Sequence, residues 1–525
     1  MVLVRWILQF LCLLIHHSIL AQAERSAFSA TGRGGIATTF VTDYQCIGIN
    51  PANLGFTKSF RDPKITASVL ESSLSFYSGA LSRRDILGVV FGKASRQQFN
   101  YSEKTQASQR FAEKDNSLNA DLMLLGFSIR LPKRRLGSFA FSLQDGIRLY
   151  LRLNRTASEI AFLGSNAPYF PYVQRGDRFN YLQNPRNPDA KDNFYAVNGL
   201  SEEDQVAVFR GSFLDSAQAK RYGEILNNSR ISCSWFREYN ISYGLPLISS
   251  YNFTLLGGVG FRYLSGIVYI DLAAENNRLT RNSLSISQSY GFSLEEASDG
   301  RATAPKLRVP STNLFERFLF PKPVGRGFGF DFGFTAIVKR NLYIGAALTN
   351  FGKIVWEGNL VQVTDGKLIE FQGTGFNNYN FFGADQGALQ FAGDKSPLKW
   401  TGGVSREVIE LPSTFRVGAS YEYYKTIHAG IDLIIPRNNV AGNLTRTLYG
   451  IGLDVRPFKM FRISAGANFG GNNGDKINFP AGFTYLSRKG FYEAGIATRD
   501  LITYIVDLGT GSTLSASGGF LRFKF

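Results

Sequence analysis

Histidine is nearly missing from this chain: there are three in 525 residues, and His16 and His17 lie in the first 20. That excludes His-rich metal centres and leaves any histidine-based catalysis to His428 alone. Cysteine is equally scarce, at three residues, too few for a disulfide scaffold. Whether Cys46 and Cys233 pair is not decided by spacing. Only 17 prolines occur, and no Gly-X-Y period, which rules out a collagen-like chain. Beyond the N-terminus there is no second apolar run of the length a spanning helix needs, which argues against a helical membrane protein. What is abundant is an unusual combination: 54 Gly together with 45 Phe and 24 Tyr. At 44% hydrophobic and 19% charged residues, the chain is not disordered. Its length allows several soluble domains or one large closed β structure.

The first residues read as a secretory leader. Arg5 supplies a positive start, Trp6 to Ile15 (WILQFLCLLI) is a short apolar core, and Ala21-Gln22-Ala23 is an A-x-A cleavage site. Residues 1–23 are therefore expected to be a signal peptide. Cys12 inside the apolar core lacks the context of a lipidation site.

The rest of the chain repeats a period of two. Phe328, Phe330, Phe332 and Phe334 alternate with Gly329, Asp331 and Gly333. Phe415, Val417, Ala419, Tyr421 and Tyr423 alternate with Arg416, Gly418, Ser420 and Glu422. Similar alternation fills 427–433, 449–456 and 461–469. Successive side chains of a strand point to opposite faces, so each segment has one apolar face and one small or polar face. A soluble sandwich or propeller would turn the apolar face inward; an outer-membrane barrel turns it to lipid and lines its lumen with the polar face. The leader, segments about ten residues long and aromatics at segment ends (Tyr423, Tyr424, Tyr449, Phe469) favour the barrel. An all-β transmembrane antiparallel barrel of about 14 strands is expected over residues 63–525, preceded by residues 24–62.

Candidate strands include 84–93, 251–265 and 266–275. Three inserts, 155–230, 297–325 and 352–396, are expected as long extracellular loops, with a helix within 203–226. The chain ends Leu521-Arg522-Phe523-Lys524-Phe525, with Leu521, Phe523 and Phe525 on one face. This resembles the terminal strand that the bacterial barrel-assembly machinery reads, which makes that machinery an expected partner.

Near the N-terminus, Gly32-Arg33-Gly34-Gly35-Ile36-Ala37-Thr38-Thr39-Phe40 leads to Asp43-Tyr44 and then Ile49-Asn50-Pro51-Ala52-Asn53-Leu54-Gly55. Later comes Leu411-Pro412-Ser413-Thr414-Phe415-Arg416-Val417-Gly418-Ala419. These stretches resemble the FadL-type superfamily of outer-membrane barrels, which includes fatty-acid and hydrocarbon transporters and the PorV-type proteins of type IX secretion. The wording is most similar to uncharacterised Bacteroidota members. The resemblance implies that residues 24–62 form a hatch in the lumen, carrying Gly32, Gly34, Gly35, Asp43, Asn50, Pro51 and Ala52. Pro51 fixes its own φ and biases Asn50 away from helix, and Gly34-Gly35 permits close backbone packing.

Two readings of function follow. The first is passive uptake of a hydrophobic or amphiphilic ligand through a hatch-plugged lumen. The second is a PorV-like barrel that binds secretion-system or surface-assembly partners. An enzyme is not expected, and no cofactor or metal is expected. The formal charge of +17 is dispersed along the chain with no aromatic-basic module, so nucleic acid is not an expected partner. Outer-membrane lipid and lipopolysaccharide of a Gram-negative cell are.

Overall fold

A computed structural model describes residues 28–56, 63–90, 98–170, 217–290, 320–379 and 406–525, apart from 370, 372, 425, 472–475, 489 and 507–508. It also describes short strands at 172–174, 180–183, 194–196, 292–296, 303–307 and 400–401. The expected signal peptide lies outside the described residues.

Fourteen long strands close into one antiparallel barrel. They are β1 Ile65–Ser82, β2 Asn116–Arg130, β3 Ser138–Arg152, β4 Arg230–Ser249 and β5 Phe253–Glu275. Next come β6 Gly325–Val338, β7 Leu342–Trp356, β8 Thr414–Tyr423, β9 Ile427–Pro436 and β10 Leu448–Phe458. The last four are β11 Phe461–Gly470, β12 Ala481–Leu486, β13 Tyr492–Thr498 and β14 Thr510–Lys524. Each pairs with its neighbour in sequence, and β1 pairs with β14 from Thr66↔Lys524 to Ser82↔Thr510, so no edge is left open. Alternate connections are turns of two to seven residues; the others run from 10 to 77. The two ends of the barrel thus differ, with the short turns and the start of β1 and end of β14 at one mouth.

The alternation puts the aromatic face outside. Phe328, Phe330, Phe332 and Phe334 are 53%, 44%, 42% and 56% exposed, while Asp331 on the same strand is fully buried. A sandwich would have hidden that face; a closed barrel with greasy walls is the form that places it against hydrocarbon. Among the described residues no helix is long and apolar enough to cross a membrane.

Three expectations are corrected. Residues 83–90 form helix α1 (Arg83–Val90), not a strand. Ser82 and Asp85 cap it reciprocally: the Ser82 N–H donates to Asp85 Oδ2 at 3.1 Å, and the Asp85 N–H donates to Ser82 Oγ at 3.3 Å. The expected strands 251–265 and 266–275 are one strand of 23 residues, β5, kept continuous by a bulge where Phe236 faces Gly266 but Trp235 faces Val268. The insert expected from 352 begins later, because β7 runs on to Trp356. The helix expected within 203–226 is described only at Tyr222–Ile225.

The described parts of the long connections are packed. Helix α2 (Tyr101–Phe111) is capped by Asn100, whose side chain accepts from Glu103 N at 2.9 Å; helix α3 (Arg155–Leu163) is capped by Asn154, which accepts from Ala157 N at 2.7 Å. Phe111, Phe162 and Phe376 pack together in one buried apolar cluster, and Phe170, Leu272, Val361 and Phe371 in another. These clusters form a packed dome at the long-loop end.

Candidate functional site inside the barrel

Inward positions along the strands are filled by glycine, serine and charged residues, and the space they leave holds residues 30–55. The fit is close. A Cβ at Gly258 would meet the backbone of Pro51 and Ala52, one at Gly333 would meet Asn50, and one at Gly450 would meet Ile36. Gly32 lies against the backbone of Gly482, where a Cβ would come within 2.9 Å of Gly482 Cα. The wall is therefore thin where the segment runs, and the glycines are on the lumenal face because any side chain there would occupy the segment's place.

Gly34 and Gly35 make the first turn of the segment in the left-handed region, at φ 70° and 85°. Their carbonyls are held by the wall: Gly34 O accepts from Asn468 Nδ2 at 3.2 Å and Gly35 O from Arg416 Nη2 at 3.2 Å. Asp432 Oδ2 then accepts from Ala37 N (2.8 Å), Thr38 N (2.9 Å) and Thr38 Oγ1 (2.8 Å), so one carboxylate fixes a whole backbone bend. Arg33 donates to Asp454 at 2.8 Å, and Ser464 Oγ donates to the other oxygen of Asp454 at 2.6 Å.

Asn50 is fully buried and works in two directions. Its Oδ1 accepts from Ala52 N at 3.2 Å, capping the short 3-10 turn Pro51–Gly55, as expected for Asn before Pro. Its Nδ2 donates to Thr38 O at 3.0 Å and to Thr335 Oγ1 on β6 at 2.9 Å. Thr335 Oγ1 in turn donates to Asn53 Oδ1 at 2.8 Å. Ala52 is fully buried beside Leu256, Ile337 and Tyr343. Asp43, at φ 56°, accepts from Arg522 of β14 at 2.6 Å.

The segment keeps its apolar side chains largely to itself. One buried cluster contains Ala37, Val41, Tyr44, Cys46, Ile49 and Leu54, and the wall contributes to it only Ala140 and the partly buried Met123. Cys46 and Cys233 are both free thiols, so they do not pair. Towards the long-loop end a second layer of charge crosses the lumen: fully buried Arg262 engages Asp331, and its Nη1 reaches Glu238 at 3.2 Å.

The structure brings all seven N-terminal site residues onto this one buried segment. It places Leu521 and Phe525 on the outer face, 45% and 65% exposed, with Phe525 N donating to Ile65 O at 2.7 Å across the seam. Phe523 stacks against Phe525 at 6.4 Å on that face. His428 and Asp432 both point inward, but into different work. His428 Nε2 lies 2.9 Å from Ser420 Oγ and its ring stacks on Phe40 at 3.9 Å, while Asp432 holds the segment backbone. Sequence reasoning gave no role to Arg33, Arg416, Asp454, Glu71, Thr335 or Arg522. For Arg416, Asp454, Thr335 and Arg522 the signal was present, a charged or hydroxyl residue set between two apolar ones on a strand; Arg33 between two glycines and Glu71 between Leu70 and Ser72 carried none. Among the described residues no group of three His, Cys, Asp or Glu is placed to hold a metal ion.

Residues 189–485 match a family described as a family of unknown function, DUF5723. No curated protein matches in sequence. The chain is similar to the solved toluene transporter TodX of P. putida, at 10% identity over 96% of this chain and 99% of that one, with a TM-score of 0.38. It is similar to a Pseudomonas aeruginosa FadL homologue at 11% identity over 96% and 99%, TM-score 0.37. It is similar to the CymD monoaromatic hydrocarbon channel at 8% identity over 95% and 97%, TM-score 0.37.

Proposed function

The chain belongs to the DUF5723 family, and from its internally occupied barrel we propose a gated outer-membrane conduit for hydrophobic or amphiphilic small molecules, with residues 24–62 as its hatch. The mature protein would reach the outer membrane of a Gram-negative cell by its leader, be inserted by the barrel-assembly machinery through the strand ending at Phe525, and meet lipopolysaccharide at the long-loop end.

One observation carries the reading. The segment has its own small apolar core, shares with the wall a small apolar patch where Ala52 meets Leu256, Ile337 and Tyr343, and is otherwise held by hydrogen bonds, ion pairs and glycine backbone. Polar contacts of that kind can be exchanged for water and remade, whereas withdrawing a shared apolar core would cost the transfer energy of every side chain pulled out. A segment built this way can move as a unit.

The test is a reversible lock. Thr39 Oγ1 donates to Ser420 Oγ at 2.7 Å, so Thr39→Cys with Ser420→Cys places two thiols within disulfide range in a Cys46→Ser, Cys233→Ser background. Uptake of a hydrophobic fluorescent dye into cells carrying this variant should stop on oxidation and return on reduction. Equal uptake in both states would sink the conduit reading. In that event, stable co-purification with secretion-system proteins would leave the barrel as a partner-binding scaffold.

A further inference from the structure

Beneath the segment, at the short-turn mouth, lies a cavity of about 320 Å³. Its lining is electrically lopsided: seven Lys and Arg side chains face four carboxylates. Three of those cations crowd onto one acid. Glu493 takes Arg462 at 2.7 Å, Arg522 at 3.5 Å and Lys524 as well. Arg522 also reaches Asp43, and Arg462 lies 4.0 Å from Asp454, which already serves Arg33.

Even with these pairs made, donors are left over. The Nε groups of Arg462 and Arg522 are buried with no acceptor. Those two nitrogens are closed off from solvent, so both guanidinium groups act on the cavity as fixed positive charge rather than as contact points. Lys64 and Arg456 line the same cavity, and neither side chain makes a hydrogen bond or ion pair among the described residues. A partly enclosed space with excess positive charge concentrates anions. Phe40, Val41, Phe56 and Leu256 line other parts of the cavity, giving it an apolar side.

We propose that this vestibule is an anion site that takes a carboxylate or phosphate group. Lys64 and Arg456, the lining cations left without a partner, receive the group, and the buried Arg462 and Arg522 supply positive charge behind it. The volume suits a small anion or a charged head with a short length of chain. The site exists with the segment seated, so it stands or falls separately from the segment's movement.

The test is calorimetric titration of the full-length barrel in neutral detergent with inorganic phosphate, octyl phosphate and octyltrimethylammonium. Both phosphates should bind and the cation should not, with affinity falling as salt is raised. Octyl phosphate binding at least about tenfold tighter than phosphate identifies a headgroup source; equal affinities identify a free anion. Lys64→Glu with Arg456→Glu should weaken either by about tenfold or more, whereas Lys64→Arg with Arg456→Lys should retain it. Absence of binding by both phosphates, equal binding of the cation, or a folded charge-reversed variant with unchanged affinity would overturn the site. Should charge reversal prevent folding, the conservative pair and the salt series decide.

Discussion

Asp43 on the N-terminal segment and Arg522 on the last strand are joined at 2.6 Å, in a site where Arg522 is 4% exposed at its side chain. The next residue, Tyr44, donates to Glu71 on the first strand at 2.5 Å. The segment thus holds both sides of the seam that closes the barrel. The seam is irregular at this point: Leu70 is at φ 56°, and the paired residues run from Val69↔Leu521 to Ser72↔Gly518, with Glu71 turned inward between them.

Arg522→Met should therefore destabilise the barrel strongly, because it leaves Asp43 and Glu493 buried with less compensation. Breaking one side of a buried pair costs about 3–5 kcal/mol. Asp43→Asn should cost less, since Arg522 keeps Glu493. The measurement is the temperature at which the folded band converts to the unfolded one on a gel. The double variant should show coupling on the order of 1–3 kcal/mol relative to the single ones. Additive effects would mean that the pair does not secure the seam.

Asn50 offers a sharper contrast between seating the segment and stabilising the barrel. Asn50→Ala leaves the Ala52 N–H and part of the Thr38 carbonyl unanswered, a loss of about 1–3 kcal/mol. Asn50→Asp should be worse, because it turns the donor aimed at Thr38 O and Thr335 Oγ1 into an acceptor. Limited proteolysis should nick both variants within 24–56, Asp faster than Ala, while the gel-shift temperature of the barrel changes little. Equal resistance to protease would show that Asn50 does not anchor the segment.

How much of this was legible beforehand depended on the kind of information. The barrel could be read because its rule is local: the two-residue period at Phe328–Phe334 or Phe415–Tyr423 states which face is greasy, although such runs outnumber the fourteen barrel strands and do not by themselves fix the count. Turn chemistry was legible too, as at Gly34-Gly35 and Asn50-Pro51. Partnership across the lumen was not. Nothing near Asp432 in sequence says that it caps the backbone at Ala37 and Thr38, 395 and 394 positions away. The helices of the dome were missed for a different reason. Ser82-x-x-Asp85 and Asn100-x-x-Glu103 are local capping signals, but the apolar residues beside them were read as strand or loop.

Thiol chemistry can report whether the segment leaves its place. Cys46 is fully buried and its Sγ donates to Asp43 O at 2.9 Å. In a Cys233→Ser background the resting protein should resist maleimide. Gly333→Val puts a side chain where Asn50 now sits, and a Cβ there would also come within 3.0 Å of Pro51 Cδ. That variant should label at Cys46 while the barrel stays folded. Full protection of Cys46 in Gly333→Val would mean that the wall, not the segment, yields.

The outer wall can be tested by charge. Phe330 is 44% exposed and its ring lies 5.6 Å from that of Phe261 on β5, within an outward aromatic row. If this row meets hydrocarbon, Phe330→Arg should cost about 2–4 kcal/mol in folding into lipid bilayers, while Tyr424→Arg at a short turn should cost about 0–1 kcal/mol. Both residues are exposed, Tyr424 at 79%, so if both met water both would accept a charge at little cost. The discriminating quantity is the difference between the two variants, measured by urea titration of refolding into vesicles. A charge tolerated equally at both positions would place the aromatic row in water and remove the membrane from the account.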